Sequence, residues 1–165
     1  MPRCHPERVK TRILLRIATT LGVALTLAGS SFCAAQDKGY WRAVSNTANS
    51  ITGDIALSDT KVTINFTAFL IAQARPLGPA EVSAVFDADV NAGGTGALYH
   101  LTVPAAKRFL RHNTLCGSED TQWMATYVSG STLQVAFFSG AGAPVFTLDA
   151  LRNSTDLCGT FSYAR

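Results

Sequence analysis

His112, Cys116 and Asp120 stand at four-residue spacing and bring together the three side-chain types of a nucleophilic triad. A thiolate nucleophile needs an adjacent base, and the base needs an acid to orient it. Three features count against that use. Catalytic Cys and His usually come from distant segments joined by the fold. Cys116 has a second cysteine to pair with, Cys158, and a disulfide sulfur is no nucleophile. The Gly, Ser and Thr around it supply no helix N-terminus to lower a thiol pKa. The chain reads as a non-enzyme, with a Cys-His hydrolase as the last alternative.

Other chemistry-bearing groups are sparse. Asp87-x-Asp89-x-Asn91 has the spacing of the first calcium ligands of an EF-hand loop. Ala92 stands where that loop needs Gly, and Leu98 where it needs Glu, so a plain turn-forming loop is the better reading. His100 and His112 belong to no spaced ligand motif, and no metal or cofactor is expected. Lys107, Arg108 and Arg111 share a face at helical spacing, with His112 beside them, and read as a solvated face or an anion- or partner-binding patch. Asn65-Phe66-Thr67 and Asn153-Ser154-Thr155 are glycosylation sequons, of use only in a source that glycosylates them.

The chain has 165 residues, 47% hydrophobic and 15% charged, and that low charge argues against disorder. Its first 35 residues read as an export signal. Arg3, Arg8, Lys10, Arg12 and Arg16 precede an apolar run from Ile17 to Gly29, and Cys33-Ala34-Ala35 offers small residues at a cleavage point. The run is too short for a permanent span. Phe32 before Cys33 argues against lipidation. Removing the segment takes five basic residues and Glu7, leaving nine Lys and Arg against ten Asp and Glu, a net charge of −1 in place of +3. The basic pI therefore belongs to the precursor, and no nucleic-acid partner is inferred. Cys116 and Cys158, each in a Leu-Cys-Gly tripeptide, remain as a pair that an oxidising compartment would join as a disulfide. A periplasmic or secreted protein is expected, with residues 36–165 as one domain.

Period-two alternation marks the strands that must position these groups. The clearest pair runs from Gln122 to Val128 and from Thr132 to Ser139. Trp123, Ala125 and Tyr127 share one face of the first, and Leu133, Val135 and Phe137 one face of the second. Gly130 turns between them. Further strands are expected over Tyr40 to Val44, Ile51 to Leu57, Lys61 to Ala74, Glu81 to Ala88, Ala97 to Val103, Val145 to Leu148 and Thr160 to Ala164. In the Lys61 to Ala74 run, Val62, Ile64, Phe66, Ala68 and Leu70 share a face, but Phe69 and Ile71 make the other face apolar too. Pro104 to His112 reads as a minor helix, and Ser45 to Ser50 as a loop. The fold class is all-β: an antiparallel barrel, or a sandwich, of about eight short strands.

Gly39-Tyr40-Trp41 resembles the Gly-x-Trp that opens the first strand of lipocalins and related calycin barrels. The resemblance implies that Trp41 closes the barrel floor and that a basic residue from a late strand lies across it, with Arg165, directly after the last strand, as the candidate for that part. It carries no ligand chemistry to this chain.

The function expected from these features is an exported binding protein for a small apolar ligand or a protein partner. Trp123, Tyr127, Phe137 and Trp41 are the candidate ligand-binding residues. The alternative is an envelope structural or interaction module, or an inhibitor presenting the Gly117–Thr121 loop, with Glu119 and Asp120 as its contact residues.

Overall fold

The structure is a computed structural model describing residues 37–89, 91 and 93–165. The expected signal segment lies outside the described residues.

Eight antiparallel strands close into a barrel in chain order. They are β1 (Gly39–Ala43), β2 (Ile55–Leu57), β3 (Lys61–Ile64), β4 (Thr67–Leu77), β5 (Thr95–Val103), β6 (Thr121–Ser129), β7 (Thr132–Phe138) and β8 (Leu157–Ala164). Each pairs with the next, and β8 returns to β1 through Arg42 opposite Ala164 and Ala43 opposite Tyr163. The fold is thus a barrel, not a sandwich, and it has no open sheet edge. The β2–β3, β4–β5 and β6–β7 connections lie at one end, here the lower. The other four lie at the upper end.

The β6–β7 hairpin follows the alternation. Ser129 faces Thr132, leaving Gly130 and Ser131 as the turn, and Gly130 takes φ 58°. That angle is open to glycine without a Cβ clash.

Three helical segments replace expected strands or loops. The first is α1 (Asn46–Ile51), where a loop and a strand start were expected. Ser45 caps it, its hydroxyl accepting from the Ala48 N–H at 3.1 Å. The second is α2 (Pro79–Phe86), where a strand from Glu81 was expected. Pro79 suits the first helical turn, and the Glu81 carboxylate accepts from the Gly78 N–H at 2.9 Å and from Arg75 at 2.7 Å. Val82, Val85 and Phe86 then fall on one helical face and are buried. The third is α3 (Leu148–Arg152), following a stretch from Val145 that is not a strand. Of the helix expected over Pro104 to His112, only a single 3-10 turn forms, Leu110–His112.

The long run from Lys61 is two strands. Ile64 faces Thr67, so Asn65 and Phe66 form a two-residue turn. An even turn reverses the facing parity. Val62, Ile64, Phe69 and Ile71 point inward, and Phe66 and Leu70 are left outside.

Two apolar layers result. The inner one fills the barrel, and α1, Phe109, Leu115 and the two cysteines pack on it. The outer one lies between α2 and the outward residues of β5, β6 and β7, with Phe146 edge to face on Phe138. Gly96 lets α2 approach, since a Cβ there would meet Val82 at 2.6 Å and Leu77 at 2.9 Å.

Candidate functional site

The four expected ligand-binding residues are not brought together. Trp41 and Phe137 face the lumen, whereas Trp123 and Tyr127 belong to the outer layer. Trp123 meets His100 edge to face at 5.0 Å, and Tyr127 stacks on Phe86 and donates to the Gly93 carbonyl at 2.5 Å. The faces divide because Trp123 pairs with Phe138, the neighbour of Phe137. The lumen is filled. Trp41, Val62, Ile64, Met124, Leu133, Val135, Phe137 and Tyr163 are each 0% exposed, so no water-sized space touches them.

The lower end is closed by the first described residues. The Trp41 indole donates to the Asp37 carbonyl at 2.8 Å, and Tyr99 donates to the Asp37 carboxylate at 2.5 Å. Burial and that carboxylate push the Tyr99 phenol above its ordinary range. Arg165 lies across Trp41 and donates to the Lys38 carbonyl.

The triad spacing does not become a triad. Cys116 is bonded to Cys158, with Cα atoms 4.8 Å apart. His112 is exposed, and the Asp120 carboxylate accepts from the Ala105 N–H at 2.8 Å. The Gly117–Thr121 loop is therefore braced at both ends, with Glu119 exposed on it. Asp89 turns back on Asn91, whose N–H it accepts at 2.9 Å, as a plain loop does. Among the described residues, no group of three or more His, Cys, Asp and Glu is placed to hold a metal.

Among the described residues, left-handed backbone at non-glycine residues occurs at the lower end only at Asp87, which ends α2, and otherwise at the upper end. Asn65, Phe66, Arg111 and His112 all take left-handed φ, at 46°, 62°, 53° and 62°. Asparagine tolerates such an angle, but for a residue like Phe66 it costs roughly 1–2 kcal/mol and persists only where the surroundings enforce it. The two strained turns are joined. Lys107 donates to Thr67 at 2.9 Å and lies over the Phe109 ring, and Phe109 packs on Phe69. Asn113 donates to the Ser50 carbonyl, tying the 3-10 turn to α1. Phe66 is 100% exposed at the tip.

Beside Phe66 runs a groove of about 270 Å³ on the outside of β1, β2 and β3. Tyr40 lines its far side, 61% exposed. The Asp54 carboxylate accepts from the Tyr40 hydroxyl and from the Ala43 N–H, and these bonds hold its pKa below the usual carboxylate range. Tyr40, Asp54, Asn65 and Phe66 were not expected as site residues. The phase change at Phe69 and Ile71, with an asparagine before it, is the sequence signal for this turn. No family model, curated protein or solved structure matches the chain.

Proposed function

We propose that this chain is an exported interaction module of the cell envelope that engages its partner with the upper rim of the barrel instead of its lumen. The observation that carries the reading is Phe66, a fully exposed phenyl ring on a strained two-residue turn. A glycine there would relieve the backbone, and a polar residue would suit the solvent. An aromatic ring held out at such a cost is suited to contact with something outside the chain. The filled lumen offers no competing cavity for a small apolar ligand. The disulfide supports export, since such bonds persist in oxidising compartments.

The test is affinity capture from envelope extract with three baits: wild type, Phe66→Gly and Leu70→Thr. Leu70 is exposed on the open sheet face and serves as the control. A species retained by wild type and Leu70→Thr and lost from Phe66→Gly is the expected result. Identical retention by all three, or none by any, removes the rim from consideration.

A further inference from the structure

We propose that the groove between Tyr40 and Phe66 is a saccharide site that takes a pyranose ring of a neutral glycan. The proposal rests on the rim reading and names its ligand.

The register builds the groove. Tyr40 faces Ala56, and Ala56 faces Thr63, so a row across three strands begins with a large ring and continues with small side chains. The small residues leave the depression, and the strained turn sets Phe66 at its other side. Two exposed aromatic rings therefore flank a shallow floor.

A pyranose ring matches those groups. Its faces carry C–H bonds and its edges carry hydroxyls. An aromatic face is electron-rich and attracts the slightly positive hydrogens of a C–H surface. Hydroxyl edges need acceptors and donors together. Asp54 accepts only, while the Asn65 amide and the Thr63 hydroxyl do both. Each Asp54 oxygen already takes one bond, from Tyr40 or Ala43, and keeps a second lone pair for a ligand. Those bonds also fix the carboxylate and the Tyr40 ring before any ligand arrives, which lowers the ordering cost of binding. Arg42 shares the exposed face of β1 with Tyr40 and directly precedes Ala43, whose N–H donates to Asp54. A cation placed there offsets the carboxylate, which suits a neutral ligand.

The test uses the processed, exported protein, labelled with nitrogen-15 and titrated with tetra-N-acetylchitotetraose, with cellotetraose and, separately, with acetyl-arginine amide. Saturable shifts at Gly53, Asp54 and Phe66 with at least one tetrasaccharide, and none with arginine amide, are expected. Tyr40→Ala and Phe66→Gly should each weaken that binding about tenfold or more, the loss of one aromatic contact. Phe66→Gly should remain folded, because glycine suits φ 62°. Shifts with arginine amide alone would make this a cation site and overturn the proposal. Silence from both tetrasaccharides would overturn it too. In that case the rim reading still stands if Phe66→Gly loses its captured species, and falls with the saccharide if it does not.

Discussion

The guanidinium of Arg165 lies 4.0 Å from the centre of the Trp41 ring, joining the residue after the last strand to the middle of the first. The indole it covers is fully buried, so the cation acts as a lid on the barrel floor. A cation over an aromatic face contributes about 0.5–1 kcal/mol at an exposed site. Arg165→Gln should lower stability by about 1 kcal/mol, and Arg165→Lys by less. For a domain of this size the first change is a drop of roughly 3–5 °C in thermal midpoint. A glutamine variant that melts with wild type would show that the contact contributes nothing.

Phe66→Gly should stabilise the fold. The phenyl ring buries nothing, and the left-handed backbone is free of strain once the Cβ is gone. A gain of roughly 1 kcal/mol is expected, tempered by the added freedom of glycine in the unfolded chain. Urea unfolding should show a higher midpoint with an unchanged slope. A clear loss of stability would mean that Phe66 serves the fold and not a partner.

The Cys116–Cys158 bridge closes a separation of 42 residues and ties the entry of β6 to β8. The chain-entropy model gives roughly 4 kcal/mol for a loop of that size. Reduction should lower the thermal midpoint by about 10 °C or more. Alkylation without reduction should leave both sulfurs unlabelled in the mass spectrum. Rapid iodoacetamide labelling of Cys116 in the native protein would reopen the thiol chemistry.

Two phenols set an alkaline limit. Tyr99 is desolvated and donates to Asp37, and Tyr163 is buried with its hydroxyl 2.7 Å from that of Thr52. Burial is the first cause in both, and it raises both phenols above their ordinary value. The folded state thus holds two protons that the unfolded chain gives up near ~10. Their contribution is complete below that pH and is lost as the pH climbs through the folded values. Absorbance at the phenolate band should show these two phenols ionising only with unfolding. Tyr99→Phe should make the alkaline loss of stability shallower. A smooth titration of every tyrosine near ~10 in the folded protein would contradict this.

The β6–β7 hairpin was legible because nothing competed with its alternation, and a glycine marked its turn. The helix α2 was not, because Glu81, Ser83 and Val85 can be read at period two as easily as Val82, Val85 and Phe86 at a helical period. Pro79 and the reach of Glu81 back to Gly78 decide it, and both are local helix-start signals that the alternation masked. The division of aromatics between lumen and outer layer was hidden for a simpler reason. Alternation says that Trp123 and Tyr127 share a face, but not which face α2 will cover. The rim was hidden more deeply. Asn65-Phe66 carries no glycine, and the strain that marks it exists only in the folded backbone.

Seven of the eight strand pairings join chain neighbours, and one joins the first strand to the last. A chain emerging N-terminus first can form each hairpin as its second strand appears. It can close the ring, seat Arg165 over Trp41 and pair Cys116 with Cys158 only once β8 and Arg165 have emerged. A chain stopped before β8 remains an open sheet with two bare edges and Cys116 without Cys158, a form that proteases and chaperones can distinguish from the closed barrel.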